Sequence, residues 1–196
     1  NDLGNSIITD SFNNVYVTGS YSYSISFDTI ILTNWNNNIY YDIFIVKYGP
    51  SGNILWAKSA GHAGNDLGIS ITKDNSNNIY ITGYYYSASI TFGATSLLNV
   101  DSAGIYPDIF IVKYDASGNV IWAKSEGSSS GDFGESITTD AFGNVYVIGD
   151  YYSSSIIFGA TTLTNASWSS YTDVFVVKYN DSGIVICAKV FGSTTY

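Results

Sequence analysis

Three aspartates at equivalent positions are the first residues of this chain that could carry chemistry. Asp10, Asp74 and Asp140 each close a short strand-like run and precede a turn rich in Asn, Ser and Gly. Carboxylate and amide oxygens are the ligands that Ca²⁺ prefers, so a calcium site is one interpretation. The turns lack the Gly and distal Glu of an EF-hand loop, and Asp before a turn commonly accepts the N–H groups of that turn. Asp10, Asp74 and Asp140 are therefore weak calcium candidates.

A second set of acids recurs together with lysines. Each acid opens an apolar strand whose sixth residue is Lys, and the set comprises Asp42 with Lys47, Asp108 with Lys113, and Asp173 with Lys178. A catalytic Lys needs a distinctive single pocket, whereas three equivalent copies indicate a structural role. We expect contacts between these acids and lysines of neighbouring repeats.

His62 and Cys187 are the single His and the single Cys of the chain. One His cannot build a usual zinc site, and no HExxH, GxSxG, Walker or GxGxxG pattern is present. We expect His62 in a solvated linker. Cys187 takes the repeat position of Trp56 and Trp122, and its apolar flanks predict a buried small residue. From the sequence we expect no catalytic residue, no cofactor and no metal site beyond the weak calcium candidates. We therefore expect that the protein is not an enzyme.

Aromatic residues are the remaining candidates for binding. Trp35 and Trp168 lie in variable segments among Asn and Ser. Clusters of tyrosines at the end of a strand supply four more candidates, namely Tyr85, Tyr86, Tyr151 and Tyr152. Because side chains alternate along a strand, some of these pack inside and others must face outward. Exposed aromatics beside amides could stack on sugar rings or form a subunit contact, and the subunit contact is favoured because Tyr and Trp are enriched at interfaces.

The elements that position these residues belong to a unit that occurs three times. Self-comparison aligns Asp2-Leu3-Gly4, Asp66-Leu67-Gly68 and Asp132-Phe133-Gly134, at intervals of 64 and 66 residues. In each unit, β-branched runs separated by short polar turns predict two hairpins. A variable segment between the hairpins could add a short ribbon or a loop. The repeats divide the chain at 1–60, 61–126 and 127–196.

Two hairpins per unit predict an all-β fold of three four-stranded antiparallel sheets. The near-continuous apolar run Ile109-Phe110-Ile111-Val112 indicates a strand that is buried on both faces. Face-to-face stacking of successive sheets provides that burial, and radially stacked four-stranded sheets are the blades of a propeller. Each predicted blade carries a variable insert between its two hairpins. Three blades leave an incomplete ring unless further blades or chains complete it.

Several of these segments resemble the SBBP family of bacterial β-propeller repeats. The segments that carry the resemblance are 64–68 (GNDLG), 108–114 (DIFIVKY) and 140–149 (DAFGNVYVIG). The resemblance covers almost the whole chain, three times over, and implies a propeller fold. It also implies a module of secreted and surface proteins that have no common activity.

The charge balance excludes several classes of partner. The chain has 16 acids, 7 bases that are all Lys, and a net charge of −9. Such a surface repels phosphate backbones and anionic lipids, so we predict no nucleic-acid binding. No apolar run approaches the roughly 20 residues of a membrane-spanning helix, so we predict no membrane insertion. Because Met is absent, we expect a processed product or part of a longer chain.

The sequence therefore predicts a non-catalytic, extracellular or cell- or particle-surface protein that acts as a structural or self-assembly scaffold. As partners we expect further copies, in a homo-oligomeric ring, a surface layer or a filament. The alternative is a carbohydrate-binding or adhesion propeller that uses exposed Trp and Tyr loops. Asn165 and Asn180 lie in glycosylation sequons, which matter only in an organism that glycosylates secreted proteins.

Overall fold

The computed structural model describes residues 1–166 and 171–192, and this part of the chain is all-β, as predicted. In the first repeat the strands are β1 (Asp2–Thr9), β2 (Val15–Ser22), β3 (Ser24–Phe27), β4 (Ile30–Thr33), β5 (Tyr41–Tyr48) and β6 (Ile54–Ala60), with a 3₁₀ turn at Trp35–Asn37. In the second they are β7 (Asp66–Lys73), β8 (Ile79–Tyr85), β9 (Ser89–Phe92), β10 (Thr95–Leu98), β11 (Asp108–Tyr114) and β12 (Val120–Glu126). In the third they are β13 (Asp132–Thr139), β14 (Val145–Tyr151), β15 (Ser155–Phe158), β16 (Thr161–Thr164), β17 (Asp173–Tyr179) and β18 (Val185–Phe191). Within the described ranges, no helix has the length and apolar character needed to cross a membrane.

Each repeat forms one four-stranded antiparallel sheet, which confirms the predicted blades. The strand orders are β1-β2-β5-β6, β7-β8-β11-β12 and β13-β14-β17-β18. The first strand of a blade is longer than its apolar pattern indicates. In the second blade β7 already begins at Asp66, because a β-bulge between Gly68 and Ser70 lets pairing with β8 continue. Gly83 lies opposite Gly68, where a Cβ would overlap the Leu67 carbonyl oxygen.

The insert of every blade folds as a two-stranded ribbon, and the ribbons are β3-β4, β9-β10 and β15-β16. The first strands β1, β7 and β13 pack closely on one another, whereas the outer strands diverge. Ribbon β9-β10 packs against the outer strand β12 of its own blade and also reaches β6 of the preceding blade. Its Ile90, Phe92 and Leu97 are buried. The insert therefore fills the space between the outer strands of neighbouring blades.

The core consists mainly of two hydrophobic clusters, one at each blade junction. The first includes Ile45 from the first blade together with Ile71 and Ile81 from the second. The second includes Ile111 from the second blade together with Ile137 from the third. Each junction thus buries the apolar faces of two different blades, so neighbouring blades stabilise each other.

The apolar run of β11 is divided between these two clusters. Phe110 and Val112 belong to the first cluster, and Ile109 and Ile111 belong to the second. Because side chains alternate along a strand, β11 is buried on both faces, and this explains a pattern without polar alternation.

At each junction, a lysine and a tryptophan of one blade bind the hairpin turn of the following blade. These contacts lie at the end of the sheets where the hairpin turns are, which we call the turn end. Lys47 Nζ and Trp56 Nε1 donate to the Ala116 carbonyl oxygen at 2.9 and 3.4 Å. At the second junction, Lys113 Nζ and Trp122 Nε1 donate to the Asp181 carbonyl oxygen at 3.4 and 3.0 Å. The two junctions therefore use the same contact.

The second junction adds an ion pair, and removal of its exposed acid should weaken the fold modestly. Lys113 is 3% exposed and contacts the Asp181 carboxylate, while Asp74 lies 3.9 Å away. Asp181→Asn removes one charge partner of a buried cation, so we expect a loss of about 1 kcal/mol in the free energy of unfolding. The urea midpoint measures it, and Asp28→Asn, which removes an exposed acid away from any described ion pair, should leave the midpoint unchanged.

Among residues 1–166 and 171–192, no blade covers the outward face of the first blade or that of the third blade. Ile7 is 66% exposed, whereas its equivalents Ile71 and Ile137 are 4% and 5% exposed. On the third blade, Ile148 is 42% exposed, whereas Thr82 at the same position of the second blade is fully buried. We call the open side of the first blade the leading face and that of the third blade the trailing face.

The prediction that Cys187 is buried is wrong, because Cys187 is exposed. At the equivalent positions, Trp56 and Trp122 are partly covered by Gly118 and Gly183 in the turn of the following blade. Cys187 lies on the trailing face, where no following blade exists in this chain. Its exposure reflects the absence of a covering blade among the described residues, not the character of its strand.

Candidate functional site

The recurrent aspartates Asp10, Asp74 and Asp140 each organise a hairpin turn. Asp74 Oδ1 accepts two turn N–H groups at 2.8 and 2.9 Å, and Oδ2 accepts the Asn78 side-chain amide at 2.8 Å and the Tyr80 hydroxyl at 3.0 Å. Asp10 and Asp140 make the same set of bonds. Donors face both carboxylate oxygens, which favours the turn interpretation over a calcium site. Among the described residues, no group of three His, Cys, Asp or Glu side chains could hold a metal ion.

The aspartates that open the third strand of each blade hold the inserts in place. Their Oδ2 atoms accept insert N–H groups at 2.7–2.9 Å, from Trp35 to Asp42, from Val100 to Asp108 and from Ala166 to Asp173. These aspartates therefore anchor the segment in which the chain leaves and re-enters the sheet.

The lysines of the same strands contact different acids from those predicted. Lys113 pairs with Asp181 and Asp74, and Lys178 Nζ lies 3.8 Å from Asp140 Oδ2. The acid and the lysine of one strand are five residues apart, which is about 17 Å along a β-strand. The acid lies at the end that carries the inserts, which we call the insert end, and the lysine lies at the turn end. Because the strand-opening aspartates and the lysines lie at opposite ends of the sheets, they do not pair with each other, and the lysines pair with acids at the turn end.

Two pairs of buried aspartates lie at the insert end of the blade junctions. Asp42 lies close enough to Asp66 at the first junction, and Asp108 to Asp132 at the second, for their charges to interact. Burial, with a contribution from the neighbouring carboxylate, raises the pKa of Asp66 and of Asp132 to about 7. Burial also raises the pKa of Asp42 and of Asp108 to about 6. Among the described residues, the Oδ1 atoms of Asp42, Asp108 and Asp132 are buried without a hydrogen-bond partner. These carboxyls are therefore poised to hold protons near neutral pH.

His62 is not the solvated linker residue that the sequence predicts. Its ring stacks on Trp35 with centroids 4.0 Å apart, and it is half-buried. The contact joins the first insert to the linker between the first and second blades. Trp35 remains 44% exposed, so one of its faces is available to a ligand. The other predicted tryptophan, Trp168, lies outside the described residues.

The four predicted binding tyrosines divide into two kinds. Tyr85 and Tyr151 are fully buried in the junction cores, so the prediction that they bind a partner is wrong. Their neighbours Tyr86 and Tyr152 point the other way because side chains alternate along the strand, and Tyr152 is 41% exposed. Only Tyr86 and Tyr152 are placed to bind an external group.

Two equivalent grooves at the insert end use these outward tyrosines. The first groove has a volume of 370 Å³ and is lined by Tyr40 and Tyr86. The second has a volume of 360 Å³ and is lined by Tyr106, Tyr152 and Phe133. Tyr86 also lines the second groove, so the two are adjacent. We call them the tyrosine grooves.

The linkers between blades form the floor of both grooves. Gly64-Asn65 lines the first groove and the equivalent Ser130-Gly131 lines the second. Each groove therefore combines a tyrosine from the end of the preceding insert, a linker pair, and a tyrosine that follows the second strand of the next blade. This composition is set by the repeat, so the grooves are a property of the blade junction.

Sequence reasoning missed the insert tyrosines. Tyr40 and Tyr106 are 43% and 44% exposed, and Tyr171 at the same position of the third repeat is 55% exposed. Each lies two residues before the strand-opening aspartate of its repeat. This recurrent Tyr-x-Asp spacing was the available signal.

The structure also bears on one of the two sequons. Asn165 is 5% exposed, and its side-chain nitrogen donates to the carbonyl oxygens of Tyr151 and Tyr171 at 3.3 and 3.0 Å. Glycosylation would have to break both bonds, so this sequon is blocked in the folded chain.

Repeated blades, repeated junctions and a repeated groove define a repeat protein of the β-propeller class. Residues 121–150 match the family model of the SBBP β-propeller repeat, which confirms the resemblance seen in the sequence. The matched segment runs from β12 through the linker to β14, and so spans one blade junction.

Two curated proteins are similar to a larger part of the chain. An uncharacterized WD repeat-containing protein of Acanthamoeba polyphaga mimivirus is 28% identical over 97% of this chain. The regulatory protein FlaEY of Caulobacter vibrioides is 24% identical over 78% of it. The matched region covers 16% of each relative, so the chain spans a small part of the length of these proteins.

Proposed function

We propose that the chain is a non-catalytic structural scaffold whose open blade faces bind further copies head to tail, in a ring or filament. The observation that carries this proposal is the exposure of Ile7, 66% against 4% and 5% at the two internal copies of the same position. An isoleucine in this register is a junction residue, and its exposure marks a junction without its partner.

Two glycines of the leading face support the same proposal. Gly68 and Gly134 are packed closely by the preceding blade, whereas the equivalent Gly4 has no atom within 4 Å of a Cβ position. Gly118 lies against Trp56 of the preceding blade, whereas the equivalent Gly52 is open. The leading face thus has glycines at the positions where, in the internal junctions, glycines pack against the preceding blade.

The trailing face offers a matching set of groups. Lys178 lies where Lys47 and Lys113 bind the turn carbonyl of the next blade, and it is only partly buried. The residue of the leading face that corresponds to Ala116 and Asp181 is Pro50, which is exposed and has a carbonyl oxygen to accept this bond. A second copy can therefore repeat the internal contact.

Solution mass with two complementary variants tests the scaffold. The unmodified chain should associate, whereas Ile7→Asp and Ile148→Asp, each of which blocks one face, should each remain single chains of 21.2 kDa. A mixture of the two variants should form a one-to-one complex, because each retains one working face. Light scattering after size exclusion measures these masses.

The control is Ile31→Asp, because Ile31 is also 66% exposed but takes a position that stays exposed at the internal junctions, at Ser96 and Thr162. It should associate like the unmodified chain. An unmodified chain that stays a monomer, or variants that do not complement each other, would contradict head-to-tail assembly.

We also propose that the protein works outside the cell or at a cell or particle surface, and that it is not an enzyme. The resemblance to repeats of secreted and surface proteins supports the first part. The second is supported by the acids, which recur in each repeat and hold turns, inserts and junctions. Protease treatment of intact cells or particles, with immunodetection of the chain, tests the location.

A further inference from the structure

We propose that the two tyrosine grooves together bind one neutral oligosaccharide chain, laid across both blade junctions. The grooves lie within a single chain, so this inference does not rest on assembly. It also assigns the exposed tyrosines to a ligand rather than to a subunit contact.

The aromatic rings of the grooves suit the apolar faces of sugar rings. Tyr40, Tyr106 and Tyr152 are each between 41% and 44% exposed, so each side chain is partly packed and partly open to a ligand. A fixed tyrosine ring offers a large contact area at low entropic cost, and its hydroxyl adds a hydrogen bond at the edge. These properties match a ligand with C–H faces and hydroxyl edges.

The floors of the grooves supply small polar groups. The first groove contains Asn65 and Ser102, and the second contains Ser130. Gly64 and Gly104 are partly exposed and leave the backbone of the first groove accessible beside them. Hydroxyl, amide and backbone groups next to aromatic rings can fix the orientation of a hydroxyl-rich ligand.

The charges favour a neutral ligand. Among the residues that the structure describes, no Lys, Asp or Glu lines either groove. The chain carries a net charge of −9 and has no Arg, so uronic-acid or sulfated sugars would meet repulsion without a compensating cation.

The repetition of the grooves favours a chain over a single sugar. Tyr86 lines both grooves, so the grooves are adjacent and a long ligand in one can extend past Tyr86 into the other. The equivalent linkers present similar groups at both junctions, which suits a polymer of repeated units. Two linked contacts on one ligand also raise affinity beyond that of either contact.

Calorimetric titration with neutral hexasaccharides of glucose, mannose, xylose and N-acetylglucosamine tests the proposal. At least one should bind, and Tyr106→Ala should weaken that binding about tenfold, in line with the loss of one aromatic contact. Tyr106→Phe should keep most of the affinity because it retains the ring. The double variant Tyr40→Ala/Tyr106→Ala should abolish measurable binding.

The matched control is Phe142→Ala, which removes an 89% exposed ring at the turn end, away from both grooves, and should bind normally. A hexamer of galacturonate should bind at least tenfold more weakly than the best neutral ligand. Absence of binding by every neutral hexasaccharide would overturn the proposal. Equal weakening by Phe142→Ala would overturn the assignment to the grooves, and equal binding of the galacturonate hexamer would overturn the neutral class.

Discussion

Ile71→Asp should unfold the chain, whereas the same replacement at Ile7 should leave the free energy of unfolding nearly unchanged. Ile71 is 4% exposed in the first junction core, and Ile7 is 66% exposed on the leading face. The change at Ile71 removes about 2 kcal/mol of apolar burial and places an unpaired carboxylate in a dry core at a further expense of several kcal/mol. This sum is comparable to the whole stability of a typical domain, about 5–15 kcal/mol.

Urea unfolding followed by circular dichroism measures the difference. Both variants are best made in an Ile148→Asp background, which blocks the trailing face and keeps association from contributing. Ile137→Asp should reproduce the effect of Ile71→Asp at the second junction, where Ile137 is 5% exposed. A large destabilisation by Ile7→Asp in this background would show that the leading face is already covered within the single chain.

The chain should lose stability as the pH rises from about 4 to about 7. Burial raises the pKa of Asp66 and Asp132 to about 7 in the folded state, against about 4 in the unfolded chain. A raised folded pKa means that the folded state holds the proton more tightly, so its contribution is complete below pH 4 and is lost by pH 7. Burial raises the pKa of Asp42 and Asp108 to about 6, and their loss falls in the same window.

The turn aspartate Asp140 acts in the opposite direction and at lower pH. Hydrogen bonds, first of all from the Asn144 side chain, lower the pKa of Asp140 to about 2. Its contribution is present above pH 4 and is lost as the pH falls through 2. Maximum stability is therefore expected near pH 4 to 5, and thermal melting between pH 3 and pH 8 measures the profile.

Asp132→Asn should reduce the loss of folding stability that occurs above pH 5. The carboxyl of Asp132 accepts the Ser128 hydroxyl through Oδ2, while Oδ1 is buried without a partner in the described part of the chain. Asn keeps the acceptor and cannot ionise, so we expect a gain on the order of 2 kcal/mol at pH 8 and none at pH 4.5. Asp2→Asn, which changes an exposed aspartate, is the control and should follow the unmodified profile. A gain of equal size at pH 4.5 would refute the protonation argument.

The blades were predictable because their signals recur. The aligned Asp-Leu-Gly and Asp-Phe-Gly triplets define the repeat, and the apolar run at 109–112 indicates a strand covered on both sides. The turn glycines Gly52, Gly118 and Gly183 have positive φ, as their positions predict. Each of these features depends on residues that are close in sequence or repeated in register.

The predictions failed where the burial of a residue depends on which part of the molecule packs against it. Cys187 is exposed because no blade in the described part of the chain covers it, and the residues around Cys187 carry no sign of that. Alternation could not separate Tyr85 from Tyr86, because β8 is buried on both faces and its pattern does not show which side is the core. The stack of His62 on Trp35 joins two residues that do not recur at the equivalent positions of the other repeats, so the repeat register did not predict it.

The equivalence of the junctions has a consequence for how such a gene can change. The second blade meets the first and the third through the same contact of a lysine with a turn and the same buried isoleucine position. Duplication or deletion of one whole unit, 64 or 66 residues here, would leave every remaining interface with a partner of the kind it had before. A duplication or deletion that ends within a unit would instead leave one hairpin without the rest of its sheet. Evolution by whole blades is therefore the change in length that this architecture tolerates.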